Sequence, residues 1–123
     1  MFNYFILKAL IIDDEIDICF LLSGILRQKN IAANYVNNLA DAVVELKNIH
    51  PELVFLDNHL PDGLGIDFVE HIKTYYPASK IVMITAYDSS GDRQLAINKG
   101  VDIFIGKPFT KDAINYATDT LTN

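Results

Sequence analysis

Polar residues able to bind or accept a phosphoryl group follow four of the chain's short apolar runs: Asp13 with Asp14, then Asp57, Thr85 and Lys107. A carboxylate can attack phosphorus as a nucleophile, while an ammonium and a hydroxyl can donate hydrogen bonds to phosphoryl oxygens. Asp57, which closes the apolar run at 53–56, is the predicted nucleophile. If the fold brings these residues together, they predict a site for phosphoryl transfer.

Three of these residues are acids, and their mutual repulsion predicts a bound cation. Two carboxylates about 5 Å apart repel by about 3 to 4 kcal/mol at an effective dielectric constant of about 20. A divalent cation relieves this repulsion, and oxygen ligands with room for water suit Mg²⁺, with Mn²⁺ able to replace it. Asp13, Asp14 and Asp57 are therefore predicted metal ligands, and the ion would also neutralise an approaching phosphate.

Lys107 and Thr85 are predicted to contact the phosphoryl oxygens. The ammonium of Lys107 offers a compact positive charge, and the hydroxyl of Thr85 can follow the phosphoryl group once it is attached. Pro108 fixes the backbone directly after Lys107. We predict a cis peptide bond before Pro108, because the tight turn it favours would direct the lysine back toward the sheet.

Short apolar runs alternate along the chain with longer segments of helical period, which is typical of α/β domains. The runs are apolar at successive positions, as expected for a parallel sheet that is covered on both faces. Strands are predicted at 9–12, 31–36, 53–56, 81–84 and 103–105.

The helical segments between these strands have recognisable ends and faces. Ser89 or Ser90 is predicted to open the fourth helix and Gly100 to end it in a left-handed conformation. The apolar face predicted for the first helix consists of Ile16, Phe20, Leu21, Ile25 and Leu26.

Five β/α units in sequence predict a doubly wound (βα)5 three-layer sandwich, because right-handed crossovers leave few other topologies. We expect a flavodoxin-like parallel five-stranded sheet in the order 2-1-3-4-5, with strands 1 and 3 adjacent at the switch point. Ligands bind there, beyond the carboxyl ends of the strands. This topology would gather Asp13, Asp14, Asp57 and Thr85, with Lys107 just beyond strand 5.

Composition excludes several classes of protein. The chain has 123 residues, enough for one domain, which we assign to 1–123 with no output domain. Its formal charge is -6 and its ten basic residues are scattered, which argues against direct binding of nucleic acid or an anionic membrane.

The single cysteine and the chain's apolar start bear on location. Cys19 cannot form a disulfide within the chain, so a reducing, cytoplasmic location is predicted. No apolar stretch approaches the roughly 20 residues needed to cross a bilayer. Residues 1–7 are apolar but do not resemble a signal peptide, and they are predicted to extend or begin strand 1.

Four motifs in order make the chain resemble a response-regulator receiver domain of two-component signal transduction, from Lys8 to Leu121. They are LIIDDE at 10–15, Asp57 with LPDGLG at 60–65, Thr85-Ala86, and GVDIFIGKPF at 100–109. The resemblance implies a chemotaxis-receiver-like phosphoprotein. Asp57 would accept phosphate from a phosphohistidine on a sensor histidine kinase or a histidine phosphotransfer protein.

The resemblance also implies roles for individual residues. Asp14 would bind Mg²⁺ directly and Asp13 largely through water, with the backbone carbonyl of His59 as a further ligand. Thr85 and Phe104 resemble the family's switch pair, which would alter an output face formed by helix 4, strand 5 and helix 5.

His59 and Tyr87 depart from the commonest family pattern. They stand two residues after Asp57 and Thr85, at positions that flank the phosphoryl group in this family and tune the lifetime of the aspartyl phosphate. We expect no enzymatic activity on other substrates, only self-phosphotransfer and autodephosphorylation.

Other functions compete with the phosphorylated switch. The domain could be a phosphate-independent receiver-like interaction module, although its complete set of site residues counts against this. A phosphatase with an aspartyl-phosphate intermediate usually carries a second acid where this chain has His59. Glu15 and Asp17 are interpreted only as acids that stabilise a helix N-terminus.

Overall fold

Strands and helices alternate through the computed structural model, which describes residues 6–87 and 89–122. Two short strands, at His59–Leu60 and Gly63–Leu64, form a hairpin that the sequence pattern did not predict. The strands are β1 (Leu7–Ile12), β2 (Ile31–Val36), β3 (Leu53–Leu56), β4 (His59–Leu60), β5 (Gly63–Leu64), β6 (Lys80–Thr85) and β7 (Ile103–Gly106). The helices are α1 (Ile16–Arg27), α2 (Leu39–Ile49), α3 (Gly65–Tyr75), α4 (Ser90–Lys99) and α5 (Lys111–Thr122).

The main sheet is parallel and has the order β2-β1-β3-β6-β7. With the antiparallel β4–β5 hairpin set aside, this is the predicted order 2-1-3-4-5, which is confirmed. Strands β1 and β3 are neighbours, and Ile12 lies opposite Leu56 at their carboxyl ends. The residues that follow these two positions, Asp13 and Asp57, therefore emerge side by side.

Two hydrophobic clusters cover the two faces of the sheet. In β1, Leu10 and Ile12 face the cluster that includes α2, α3 and α4, whereas Ala9 and Ile11 face the cluster that includes α1 and α5. This alternation follows from the two-residue period of a strand. The predicted three-layer α/β sandwich is confirmed.

Helix α1 buries a different stripe from the one predicted. Phe20 and Leu21 are 61% and 54% exposed, whereas Cys19, Leu22 and Leu26 are buried. The buried positions follow the i, i+3, i+7 spacing of one helical face. The prediction was right for Ile25 and Leu26 but wrong for Phe20 and Leu21, and also for Ile16, which is 42% exposed. Every residue from 18 to 22 is apolar, so the period of α1 does not single out one face.

The predicted ends of α4 are confirmed. The Ser89 side chain accepts a hydrogen bond from the backbone N–H of Asp92, and Gly100 adopts a left-handed conformation with φ 112°. This φ favours glycine because it has no Cβ.

The predicted role of residues 1–7 is only partly covered by the structure. Residues 1–5 lie outside the described residues, Ile6 is exposed, and β1 begins at Leu7. None of the helices in the described part of the chain is both long and apolar enough to cross a membrane.

Candidate active site at the carboxyl edge of the sheet

Three acids meet where β1 and β3 end. The backbone N–H of Asp57 donates to the carbonyl of Ile12 at 2.9 Å, and that of Asp13 donates to the carbonyl of Val36 at 3.1 Å. These bonds extend the hydrogen bonding of the sheet by one residue and fix the backbone positions of the two acids. Asp13 and Asp57 are 3% and 6% exposed.

The acid cluster fits a small divalent cation. One carboxylate oxygen from each of Asp13, Asp14 and Asp57 lies within 4.8 Å of the others. Carboxylate oxygens at this spacing, with part of the coordination shell left to water, suit Mg²⁺. Asp14 is exposed, which leaves room for water ligands. The donor set therefore matches the predicted Mg²⁺ site, and the carbonyl of His59 stays a predicted ligand.

Lys107 reaches this cluster from the end of β7. Its Nζ lies 2.9 Å from Oδ2 of Asp13, 3.7 Å from Oδ2 of Asp57 and 2.7 Å from Oε2 of Glu15. The Lys107–Pro108 peptide bond is cis, as predicted. The backbone N–H of Lys107 donates to the carbonyl of Thr85 at 2.8 Å, which fixes the lysine against β6.

Burial and charge set the acidity of these groups. Burial, assisted by the negative charge of Asp13, raises the pKa of Asp57 to about 6 despite the opposing effect of Lys107. Burial also raises the pKa of Asp13, against the effect of its hydrogen bonds with Glu15 and Lys107. For Lys107, burial lowers the pKa, but the bonds to Glu15 and Asp13 outweigh it and the pKa is raised. The Lys107 ammonium therefore stays charged. The pKa values of Asp13 and Asp57 remain raised in spite of it, so Lys107 compensates their negative charge only in part.

The loop after Asp57 is tightly packed against helix α3. The Asn58 carbonyl accepts from the N–H of Gly65 at 2.7 Å, and its side-chain oxygen accepts from the N–H of Ile66 at 2.8 Å. A Cβ placed on Gly65 would collide with the carbonyl oxygen of Asp57. Glycine at 65 thus lets α3 begin directly beside the predicted nucleophile.

A family model supports the assignment that the motifs and this geometry suggest. The model of the response regulator receiver domain matches residues 9–119 of the chain. The chain belongs to this family. Its receiver domain is the flavodoxin-like domain of two-component response regulators, and the predicted resemblance is confirmed.

Individual relatives agree with the family model. Response regulator protein PilR of Pseudomonas aeruginosa is 37% identical over 101 residues, which are 82% of this chain and 23% of PilR. Chemotaxis protein CheY of Listeria monocytogenes is 31% identical over 110 residues, which are 88% of this chain and 92% of CheY. This receiver therefore spans less than a third of PilR but nearly all of CheY.

A solved structure agrees as well. The receiver domain of NtrX from Brucella abortus is 30% identical and superposes with a TM-score of 0.85. The match covers 92% of this chain and 96% of that one. Sequence and backbone therefore agree along almost the whole receiver.

Thr85 and the two predicted lifetime residues lie in a connected group beside the acids. Thr85 is buried, and its hydroxyl oxygen accepts a hydrogen bond from the N–H of Tyr87 at 3.2 Å. The ring of Tyr87 packs on the imidazole of His59, with 3.9 Å between ring centroids. The structure thus brings together His59 and Tyr87, whose effect on lifetime remains a prediction.

Phe104, the second predicted switch residue of the receiver, is buried beneath helix α4. The guanidinium carbon of Arg93 lies 4.9 Å from the ring centroid, and Nη1 of Arg93 donates to the Phe104 carbonyl at 3.3 Å. A cavity of about 260 Å³ is lined by Phe104 and Met83 together with His59 and Tyr87. The predicted switch ring therefore borders open space beside the site.

Three residues support the site through contacts that the sequence did not predict. Glu15 pairs with Lys107, and Asn37 donates from Nδ2 to the Asp13 carbonyl at 2.8 Å. Asp62 accepts from the N–H groups of the first residues of α2 at 2.9 and 3.0 Å, and these bonds lower its pKa. Glu15 and Asp62 stand inside the quoted motifs, at 10–15 and 60–65. Their partners could not be predicted, because each of these contacts joins segments that are distant in sequence.

Proposed function

We propose that this receiver domain is a phosphorylation-dependent signalling switch in which Asp57 accepts a phosphoryl group in the presence of Mg²⁺. The observation that supports this best is the buried Asp57 carboxylate, with oxygens of Asp13 and Asp14 within 4.8 Å and the Lys107 ammonium at 3.7 Å. Such a set combines a nucleophile, a metal site and a cationic phosphate contact.

Phosphoryl transfer would proceed by attack of an Asp57 oxygen on phosphorus. The new O–P bond forms as the P–N bond of the donor phosphohistidine breaks, and the imidazole keeps the electron pair and takes up a proton. Asp13, Asp14 and the carbonyl of His59 would hold a divalent cation that neutralises the phosphoryl oxygens. Lys107 would then bind a phosphoryl oxygen.

Thr85 is well arranged to sense the phosphoryl group. A hydroxyl has one proton to donate and can accept further hydrogen bonds. Because the Thr85 oxygen accepts from the N–H of Tyr87, its own proton can still be donated to a phosphoryl oxygen. Turning toward the phosphate would disturb the bond to Tyr87 and connect phosphorylation to the loop before α4.

The aspartyl phosphate would be lost by hydrolysis in the domain itself. A water molecule attacks phosphorus, the Asp57–phosphorus bond breaks, and inorganic phosphate leaves with the Asp57 carboxylate restored. The contacting rings of His59 and Tyr87 are suited to limit the approach of that water, since both residues are exposed beside the site. We propose no catalysis on other substrates.

The output would be a shift between two conformations, with phosphate favouring one of them. The predicted output face consists of α4, β7 and α5, and Phe104 links its centre to the site. Partners would be a sensor histidine kinase or phosphotransfer protein as donor and a downstream protein on this face, within the cytoplasm. Neither nucleic acid nor membrane is proposed as a direct partner.

A mass measurement tests this function. Incubation with Mg²⁺ and acetyl phosphate should add one phosphoryl group to the intact protein, and the adduct should be absent in Asp57→Asn. Mn²⁺ should replace Mg²⁺, and Asp14→Ala should greatly weaken the titration of either ion. A protein that gives no adduct with acetyl phosphate or a phosphohistidine donor would instead be the phosphate-independent interaction module.

A further inference from the structure

Glu15 makes the shortest of the contacts between Lys107 and a carboxylate. The Glu15 Oε2 to Lys107 Nζ distance is 2.7 Å, compared with 2.9 Å to Asp13 and 3.7 Å to Asp57. Glu15 stands at the N-cap of α1, yet its side chain makes no capping hydrogen bond. Its carboxylate reaches instead across the site to a lysine 92 residues away.

The three carboxylates around Lys107 would differ in their contact with the ammonium once a divalent cation is bound. Asp13 and Asp57 belong to the acid cluster and would direct oxygens toward a divalent cation. Glu15 is outside that cluster and 59% exposed at its side chain, so it stays available to the ammonium. Glu15 is therefore the carboxylate with which an incoming phosphoryl oxygen must compete for Lys107.

We propose that Glu15 is a positioning residue that restrains phosphorylation by holding Lys107 away from the incoming phosphoryl group. This inference rests on the proposed function of Asp57 as phosphoacceptor. The ammonium turns toward the phosphoryl oxygen only when its contact with Glu15 weakens. The restraint is moderate because an ion pair with an exposed partner is screened by water and salt.

The rate of phosphorylation by acetyl phosphate at saturating Mg²⁺ tests the proposal. Glu15→Gln should raise the second-order rate constant by roughly two- to fivefold, the range expected for loss of such an ion pair. Asp17→Asn is the matched control, since it removes an exposed acid from the first turn of the same helix. The control should leave the rate unchanged, and an unchanged or lower rate in Glu15→Gln overturns the proposal.

A double-mutant cycle separates the positioning effect from simple repulsion of the donor. In a Lys107→Gln background, Glu15→Gln should have no effect, because the residue acts through the lysine. Equal acceleration in both backgrounds would show that Glu15 only repels the phosphodonor, and the proposal would fail. The acceleration seen with Lys107 present should also shrink as salt is raised.

A measurement without any phosphodonor keeps this inference separate from the proposed function. At saturating Mg²⁺, the ¹⁵N signal of the Lys107 ammonium should shift in Glu15→Gln and stay in place in Asp17→Asn. An unmoved signal in Glu15→Gln overturns the positioning role whether or not Asp57 accepts phosphate. If the Lys107 signal shifts in Glu15→Gln but no aspartyl phosphate forms, the result counts instead against the proposed function.

Discussion

Helices α3 and α4 flank the same site but are held to the sheet very differently. Helix α3 buries Gly65, Ile66, Phe68, Val69 and Ile72, whereas the only buried residue of α4 is Ala96. Few buried contacts mean a low free energy for local opening. The side that carries the chemistry is therefore firmly packed, and the side predicted to carry the signal can move at small cost.

The largest expected effect comes from deleting core volume on the α3 side. Ile72 is fully buried, so Ile72→Ala should lower the free energy of unfolding by about 2 to 5 kcal/mol. Leu95 of α4 is 48% exposed, and Leu95→Ala should change it by less than about 0.5 kcal/mol. Chemical denaturation measures both, and similar losses in the two variants would break the comparison between the helices.

Asp57 should carry an electrostatic cost on the firmly packed side. Its folded pKa of about 6 lies above the usual aspartate value of 3.8, so the folded protein binds this proton more tightly than the unfolded chain does. The stability that the proton contributes is complete below pH 3.8 and is lost as the pH rises through 6. Asp57→Asn should therefore raise the free energy of unfolding at pH 7.5 by on the order of 2 kcal/mol, and much less near pH 4.

Denaturation without Mg²⁺ measures this pH dependence. Adding Mg²⁺ should stabilise the native protein and should stabilise Asp57→Asn less, since one ligand charge is gone. A gain from Asp57→Asn that is equally large at both pH values would contradict the assigned pKa.

The same substitution at two glycines compares the first turns of the helices. Gly65→Ala should cost about 1 to 3 kcal/mol, because its Cβ would collide with the Asp57 carbonyl, and should slow phosphorylation. At Gly91 a Cβ would have Ser89 Oγ as its nearest neighbour at 3.9 Å. Gly91→Ala should therefore stabilise the protein by up to about 1 kcal/mol. Thermal unfolding checks the pair, and a loss at both positions would contradict the steric argument.

The smallest effect is expected where the two sides meet. His59 lies on the hairpin beside α3, and its ring partner Tyr87 lies in the loop before α4. His59→Ala should change the dephosphorylation rate several-fold without abolishing phosphorylation, because it bears on one step. Loss of the phosphoryl adduct over time, followed by intact mass, measures this, and equal decay in the wild type and the variant would contradict the proposed role of the His59–Tyr87 contact.

Strand positions and the main site residues could be predicted because each depends on local signals. An apolar run followed by an acid reveals both a strand and its carboxyl end, and parallel topology then brings Asp13 and Asp57 together. The stripe of α1 could not be predicted, because Phe20 and Leu21 are as apolar as the residues that are buried. The sequence indicates that Glu15 lies at a helix N-terminus, and it is the N-cap of α1. Its contact with Lys107 could not be predicted, because the two residues are 92 positions apart.

The hydrogen bonds that Asp62 accepts from α2 help to hold the β4–β5 hairpin at both ends. Its far end is clamped to α2 by two hydrogen bonds, and its base is packed against the N-terminus of α3 through Gly65. The exposed ring of His59 lies between these two attachments and contacts Tyr87 in the loop before α4. Because both ends of the hairpin are held, a movement of the loop after Asp57 would reach the start of α4 through this ring contact.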